Sequence, residues 1–183
     1  MIYSIMFHFK YIYYFIEDFN RKEILNLDKK VIIIYRNYKK NIQEKLIRDI
    51  QNFCKINNKK FYLADNLKLA SKLKLDGVYI PSFNRDLKIK YFRHKNLDII
   101  GSAHNFKEIK IKEKQGVTKI FLSPIFRTKK KKEYLDLMKF NLLSNYTSKK
   151  VIALGGINLS NLKKLNLINC HGFAAITFFK KNI

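Results

Sequence analysis

Cysteine and long hydrophobic runs are both scarce in this chain of 183 residues. The two cysteines, Cys54 and Cys170, lie far apart and fit no CxxC or other metal-ligand spacing. No apolar run approaches the roughly 18 residues that a membrane span requires. The longest run, Tyr11 to Ile16, has charged neighbours and lacks the small-residue cleavage site of a secretory signal. We therefore expect a cytoplasmic protein with no membrane partner.

Acidic residues are also few, since 14 Asp and Glu face 38 Lys and Arg, for a net charge of +24. Such a charge is typical of nucleic-acid-binding proteins. Here, however, the lysines are scattered among many Ile, Asn, Tyr and Phe residues, types that share A/T-only codons, so base composition can supply them. No RNA-recognition motif, zinc spacing or helix-turn-helix pattern accompanies the charge. A basic RNA-binding protein is therefore a remote alternative, and the charge would equally attract phosphorylated small molecules.

Short apolar runs rich in β-branched residues recur along the chain, and each is followed by a polar segment. These runs predict eight strands, at Tyr11–Ile16, Val31–Arg36, Lys60–Leu63, Gly77–Ile80, Asp98–Gly101, Lys119–Leu122, Val151–Leu154 and Gly172–Thr177. Helical periodicity between them predicts helices at Asn41–Ile56, Leu67–Leu73, Phe106–Lys114, Lys132–Leu143 and Ser160–Leu167, with Ser160 as the N-cap of the last.

Alternating strands and helices indicate βαβ units and a parallel sheet, either closed or open. The glycines favour closure. No GxGxxG follows the first strand, where an open dinucleotide-binding sheet would need it. Instead Gly155 and Gly156 follow the seventh strand, where barrels commonly bind phosphate. We predict a single (β/α)₈ barrel over residues 1–183, with about residues 1–10 as a peripheral extension. The length, below the ~250 residues typical of this fold, implies short helices and loops.

The functional side chains of such a barrel lie at the C-terminal ends of its strands. Those ends carry cations, a carboxylate, hydroxyls and exposed amides, namely Arg36, Asp65, Asn66, Ser82–Asp86, Ser102, His104, Ser123–Thr128, Gly155–Asn158, Ile176 and Thr177. This mixture predicts a site for a phosphorylated small molecule. Structural roles stay open: Asp65 could cap the next helix, the glycine pair could form only a tight turn, and Lys129–Lys132 could be solvated surface. His104 is interpreted as structural rather than as a base.

Five segments in this order resemble the thiamine phosphate synthase / TenI family. Ser123 to Lys131, SPIFRTKKK, is similar to the family's GPIFPTxTK, and Val151 to Ile157 is similar to VVAIGGI. The remaining matches are weaker; they are Gly172–Thr177 with GVAVVS, Ile100–His104 with GxSxH, and Leu75–Ile80 with ADGVHLG. The resemblance extends from about Tyr11 over nearly the whole chain.

The resemblance implies a transferase that joins hydroxymethylpyrimidine diphosphate to thiazole phosphate, with Mg²⁺ as cofactor. By position, Arg36 and Lys131 would bind the diphosphate as the catalytic cations. Asp65 would bind the metal, and Ser102 would contact the pyrimidine. The thiazole phosphate would lie against Thr128, Lys129 and Lys130, and against Gly156, Ile176 and Thr177. The oligomeric state is not predicted.

The chain departs from the family mainly on the diphosphate side. Tyr38 replaces the lysine of QLREK, and Ala64 replaces the asparagine before the metal-binding aspartate. The second metal-binding aspartate becomes Asn84, unless a shift of two residues substitutes Asp86. Magnesium prefers carboxylate oxygens, so a neutral Asn84 would weaken the metal site.

Two alternatives within the same fold therefore stay open. One is a TenI-like thiazole tautomerase, although the histidine expected near the GPIF segment is Pro124 here. The other is a non-catalytic barrel that binds thiamine intermediates. In both cases the phosphate half of the site would be kept while the diphosphate half is degenerate.

Overall fold

A closed parallel β-barrel forms the centre of the molecule. The computed structural model describes residues 9–38, 41–95, 97–129, 132–176 and 178. Within these ranges eight strands follow one another around the barrel in sequence order, and β1 pairs with both β2 and β8 to close it. The strands are β1 Tyr11–Ile16, β2 Val31–Tyr35, β3 Phe61–Ala64, β4 Gly77–Ile80, β5 Asp98–Ala103, β6 Lys119–Leu122, β7 Lys150–Leu154 and β8 Gly172–Ala175. The predicted (β/α)₈ architecture is confirmed.

The predicted strand bounds hold at both ends for β1, β4 and β6 and shift by one or two residues elsewhere. The largest extension is in β5, where Ser102 and Ala103 pair with Phe121 and Leu122 and so remain in the sheet. β8 ends at Ala175, and its predicted last residue, Thr177, lies outside the described residues. Most of the predicted N-terminal extension lies outside them too.

Short helices surround the barrel. They are α1 Arg21–Leu25, α2 Glu44–Ile56, α3 Leu67–Lys72, α4 Phe106–Lys114 and α5 Asp136–Ser144, with 3₁₀ helices at Leu87–Lys95 and Leu162–Leu167. The sequence predicted neither α1 nor the first 3₁₀ helix. The prediction that Ser160 caps the last helix is wrong: the N-cap is Asn161, while the Ser160 hydroxyl donates to Asn158 Oδ1 at 2.6 Å. None of the helices in the described part combines the length and apolarity needed to span a bilayer.

Aromatic rings fill the inside of the barrel. Phe121 of β6 packs edge-to-face against Tyr13 at 4.9 Å and against Tyr79 at 5.6 Å between ring centroids. Phe15 also packs against Tyr79, at 5.0 Å. A second apolar core lies between the outer face of the sheet and the helices, and it includes Cys54 as predicted. Because the rings pack the interior, polar groups that act on a ligand are confined to the strand ends.

A carboxylate closes the N-terminal end of the interior. Asp98, the first residue of β5, accepts hydrogen bonds from Lys119 Nζ and the Tyr62 hydroxyl, each at 2.7 Å, and from the Thr118 hydroxyl. Burial acts to raise the pKa of Asp98, but these hydrogen bonds outweigh it and lower the pKa. The ionised form is therefore the one that the folded barrel stabilises.

Asp98→Asn should lower the free energy of unfolding at pH 7 by about 2 kcal/mol, because Lys119 loses its charged partner in a mostly buried position. A carboxyl with a lowered native pKa stabilises the fold above its ordinary pKa of about 4, and this contribution is lost as the pH falls through the native pKa. Urea unfolding of both proteins between pH 7 and about pH 3 should therefore show a difference that shrinks below about pH 4.

Asp49→Asn is the matched control, since Asp49 is exposed on α2. We expect a change of less than about 0.5 kcal/mol. A difference between wild type and Asp98→Asn that stays constant down to about pH 3 would contradict the role given to the Asp98 carboxylate.

Candidate functional site

Arg36 leaves the barrel directly after β2, at the C-terminal rim. Its backbone N–H donates to the Ile16 carbonyl of β1 at 2.8 Å, so the neighbouring strand fixes the position of the Arg36 backbone. Its guanidinium lies over the Phe15 ring, 4.5 Å from the ring centroid. A cation held against an aromatic face is oriented without being neutralised. Arg36 is therefore a fixed positive charge at the rim.

Tyr79 of β4 links three of the residues that the sequence singled out. The Ser102 hydroxyl and the Arg36 guanidinium both lie near its hydroxyl and act on it. Its carbonyl accepts the Asp65 N–H at 2.9 Å. Burial raises the pKa of Tyr79, against the effect of these two partners, so the phenol stays neutral. No sequence motif marks Tyr79 as functional, although alternation along β4 puts it on the same face as Gly77, towards the interior.

Asp65 follows β3 with its side chain at the surface and a positive φ of 55°. Aspartate is among the few non-glycine residues that adopt this left-handed conformation readily. Asp65 does not cap α3: Asn66 is the N-cap, and its side chain accepts the Leu69 N–H at 3.0 Å. The carboxylate of Asp65 instead accepts a hydrogen bond from Asn84 Nδ2 at 2.7 Å.

Of the two alternatives for a metal ligand after β4, Asn84 lies beside Asp65 and Asp86 does not bond to it. The Asp86 carboxylate accepts the Lys88 N–H at 2.9 Å and so caps the 3₁₀ helix that follows. Asn84 Oδ1 accepts the Asp86 N–H at 3.0 Å. Within the described ranges, no three His, Cys, Asp or Glu side chains converge on a possible metal position.

Two buried side chains, one on α4 and one at its C-cap, hold the loop of residues 81–86 through hydrogen bonds to its carbonyls. The Lys112 ammonium donates to the carbonyls of Pro81 and Asn84, both at 2.7 Å, and to Gln115 Oε1 at 2.8 Å. Gln115 Nε2 donates to the carbonyls of Asn84 and Asp86 at 3.0 and 3.1 Å. Because the loop carbonyls are held in this way, the Asn84 side chain is directed at Asp65.

Tyr38, which replaces the family's lysine, lies at the same rim. It is half-exposed and packs edge-to-face against Phe83, with ring centroids 5.7 Å apart. Burial raises the pKa of Tyr38, and the charges of Arg36 and Asp65 also act on its hydroxyl. The position therefore carries a neutral phenol where a lysine would carry a charge.

Backbone contacts build the other half of the rim. The Ile125 N–H donates to the Leu154 carbonyl at 2.9 Å, and the Phe126 N–H donates to the Gly155 carbonyl at 3.1 Å. Gly156 has a φ of 72°, and a Cβ there would lie 2.5 Å from the Phe126 carbonyl oxygen. Only glycine lets the loop after β6 lie this close. Within the described part of the chain, the Gly156 N–H donates no hydrogen bond.

The remaining predicted residues divide into two groups. Thr128, half-buried, and Lys129, exposed, continue the loop after β6, and Ile176 packs against the interior core. Lys130, Lys131 and Thr177 lie outside the described residues.

His104 has a structural environment, in agreement with its interpretation from the sequence. Its ring Nδ1 is 2.6 Å from the Ser123 carbonyl oxygen, and its backbone N–H donates to the Glu108 carboxylate. The imidazole thus joins the end of β5 to the loop after β6.

The chain matches the family model described as thiamine monophosphate synthase over residues 22–179. A thiamine-phosphate synthase from Pelagibacter ubique is 32% identical over 158 residues, which cover 81% of this chain and 74% of that protein. One from Methanococcus vannielii is 30% identical over 121 residues, 64% of this chain but only 58% of that protein.

The structure of a thiamine phosphate pyrophosphorylase from Pyrococcus furiosus resembles this one with a TM-score of 0.74, covering 92% of this chain and 86% of that chain. At 19% identity this likeness shows the fold alone. The match over residues 22–179 and the similarity to the Pelagibacter protein show the family as well as the fold. On these two findings, the chain belongs to the thiamine monophosphate synthase family.

Proposed function

We propose that the chain is a single-domain, cytoplasmic thiamine phosphate synthase-like transferase, which condenses hydroxymethylpyrimidine diphosphate with thiazole phosphate to thiamine phosphate and pyrophosphate. One observation carries this proposal beyond family membership. Arg36, Asp65 and Ser102, at the ends of three different strands, all lie against Tyr79, Asp65 through a backbone hydrogen bond, at the end of the barrel that also carries the Gly155–Gly156 turn. Two phosphorylated substrates can thus be held at one rim.

We name Arg36, Asp65 and Asn84 the diphosphate half-site, and Lys131, which lies outside the described residues, is proposed to bind the same diphosphate. The reaction is expected to be dissociative: the C–O bond of the pyrimidine methylene breaks, and its electrons leave with the pyrophosphate. The thiazole nitrogen then donates its lone pair to the methylene carbon and forms the new C–N bond. The residues of this half-site would stabilise the departing negative charge, while Ser102 orients the pyrimidine.

The thiazole phosphate would bind at the rim formed by β6, β7 and β8. Gly156 offers an N–H that no described residue accepts, in a turn whose lack of side chains leaves the backbone accessible to an anion. The loop residues Thr128 and Lys129, with Lys130, would contact the same phosphate. Ile176 and Thr177 would complete the subsite after β8.

Mg²⁺ is proposed as the cofactor, bound together with the diphosphate. Asp65 fits such a role because its carboxylate is exposed at the rim, and Mg²⁺ usually takes one or two carboxylates together with substrate phosphate oxygens. Asn84 fits it less well, since its amide nitrogen faces Asp65. When bound, the ion would neutralise charge on the leaving pyrophosphate.

Activity separates this proposal from its alternatives. We expect the protein, mixed with both substrates and Mg²⁺, to form thiamine phosphate. A tautomerase would instead aromatise the thiazole phosphate tautomer without the pyrimidine substrate, and a binder would turn over neither. A basic RNA-binding protein would retain RNA at about 0.2 M salt, where non-specific phosphate contacts weaken strongly.

Arg36→Ala should reduce kcat/KM for the pyrimidine diphosphate by about 100-fold and leave the KM for thiazole phosphate unchanged, because the charge-assisted contact is made on the diphosphate side only. Arg36→Lys keeps the charge but lacks the planar guanidinium, so its kcat/KM should lie between those of wild type and Arg36→Ala. Steady-state kinetics with each substrate varied in turn measures this. Arg48→Ala, on the exposed face of α2, is the control and should behave as wild type. Equal increases in both KM values for Arg36→Ala would refute the assignment.

Asn84→Asp should lower the melting temperature without metal by about 3 °C, because two carboxylates would then face each other across a former hydrogen bond. Millimolar Mg²⁺ should restore the loss and give this variant a larger thermal shift than wild type. Asp86→Asn is the control, since that carboxylate bonds to the Lys88 N–H, and its Mg²⁺ response should match wild type. A Mg²⁺ response that changes in Asp86→Asn and not in Asn84→Asp would reverse the assignment of the metal side.

A further inference from the structure

The carbonyl of Gly156 is held by a side chain that has no part in the proposed reaction. The amide nitrogen of Asn161, Nδ2, donates to this carbonyl at 2.8 Å. Oδ1 of the same side chain accepts the Asn158 N–H at 2.9 Å. One asparagine therefore spans residues 156–158 and bonds to the backbone at both ends of that stretch.

A second asparagine fixes the first. Asn158 Oδ1 accepts the N–H groups of Ser160 and Asn161, at 2.9 and 3.2 Å. Asn158 Nδ2 also reaches the Gly156 carbonyl, but from 3.5 Å. Asn158 is exposed whereas Asn161 is half-buried, and a hydrogen bond shielded from water is the stronger one. Asn161 is thus the main partner of the Gly156 carbonyl.

The position of this carbonyl sets the direction of the next N–H group. The peptide between Gly156 and Ile157 is trans, so its C=O and N–H point in opposite directions. Asn161 precedes the 3₁₀ helix at Leu162–Leu167, which packs on the outside of the sheet through Leu162 and Leu165. Because the carbonyl points towards the start of this outer helix, the Ile157 N–H points away from it, to the side of the barrel mouth.

Two consecutive N–H groups are then available to an anion. Among the residues that the structure describes, neither the Gly156 N–H nor the Ile157 N–H has an acceptor. Successive N–H groups beside a left-handed residue form a concave anion site, and Gly156 has this conformation. A phosphate bound there would be repelled by the Gly156 carbonyl if the peptide were turned over.

The glycine turn does not select one orientation of this peptide by itself. Gly155 and Gly156 both have positive φ, at 96° and 72°. Glycine moves between such conformations and others at little cost, so the peptide after Gly156 is free to flip unless a partner holds it. The amide of Asn161 is that partner.

We propose that Asn161 is the positioning residue of the thiazole phosphate subsite: its amide holds the Gly156 carbonyl away from the ligand and keeps the N–H groups of Gly156 and Ile157 directed at the phosphate. This proposal rests on the proposed function, because it takes the glycine turn to be where thiazole phosphate binds.

The test is a calorimetric titration with thiazole phosphate alone, so that it does not depend on turnover. Asn161→Asp keeps the acceptor for the Asn158 N–H but places a carboxylate oxygen against the Gly156 carbonyl. We expect its affinity for thiazole phosphate to fall by about tenfold or more. Its affinity for hydroxymethylpyrimidine diphosphate with Mg²⁺ should stay within about twofold of wild type, since that ligand is bound at the β2–β5 side.

Asn141→Asp is the matched control. Asn141 of α5 makes the same pair of bonds: Nδ2 donates to the Leu167 carbonyl at 3.2 Å, and Oδ1 accepts the Asn169 N–H at 2.8 Å. These contacts lie before β8, at the opposite end of the barrel. The variant therefore adds the same charge and removes the same donor, and it should lose stability without a change in thiazole phosphate affinity beyond about twofold.

Asn161→Ala is the second variant and removes the donor without adding a charge. Its affinity for thiazole phosphate should fall by about fivefold, less than that of Asn161→Asp. It takes the place of Asn161→Asp if circular dichroism shows that the latter is unfolded.

Each outcome decides the proposal. Wild-type affinity for thiazole phosphate in the folded Asn161 variants would overturn it, and the transferase activity would stand if thiamine phosphate is still formed. Equal losses for both substrates, an equal loss in Asn141→Asp, or a wild type that does not bind thiazole phosphate would overturn it too. Binding that depends on Asn161 as expected, in a protein that forms no thiamine phosphate, would uphold the positioning role while refuting the proposed transferase activity.

Discussion

The hydroxyl of Tyr79, buried among the aromatic rings of the barrel, is the contact on which the β2–β5 side of the rim depends. Inside a packed apolar core a polar group must find partners, and this one has Arg36 and Ser102. Tyr79, Arg36 and Ser102 stand at the ends of β4, β2 and β5, so their contacts bring these three strand ends together. The carbonyl of Tyr79 adds the end of β3 through the Asp65 N–H. A single inward-facing side chain thus sets the spacing of groups that are distant in sequence.

The two sides of the rim are built by different physical means. On the β2–β5 side, hydrogen-bonded side chains hold one another, and buried Lys112 and Gln115 support the loop of residues 81–86. On the β6–β7 side, the loop after β6 rests directly on the Gly155–Gly156 turn through backbone contacts. A backbone surface depends little on the identity of most side chains, whereas a side-chain network changes with each substitution. This difference explains how departures such as Tyr38 and Asn84 can accumulate on one side while the glycine turn is kept.

The sequence predicted the barrel well because its strands are short apolar runs separated by polar helices, a pattern that depends on local sequence. It left the outcome open where two neighbouring polar residues compete for one role. Asn66, not Asp65, caps α3, and Asn84, not Asp86, faces Asp65; in both pairs the outcome depends on which backbone N–H groups lie nearby in the folded chain. Nothing in the sequence singles out Lys112, since no local signal shows that Gly101, eleven residues earlier, opens a path into the interior. Tyr79 was missed because its partners are brought together only by closure of the barrel.

The most direct test of this account is the kinetics of Tyr79→Phe, which removes the hydroxyl and keeps the ring in the core. We expect kcat/KM for the pyrimidine diphosphate to fall by about tenfold or more, because Arg36 and Ser102 lose their common partner, while the KM for thiazole phosphate and the circular dichroism spectrum stay unchanged. Wild-type kinetics in a folded Tyr79→Phe protein would show that the rim holds its geometry without this hydroxyl, and would contradict the central claim.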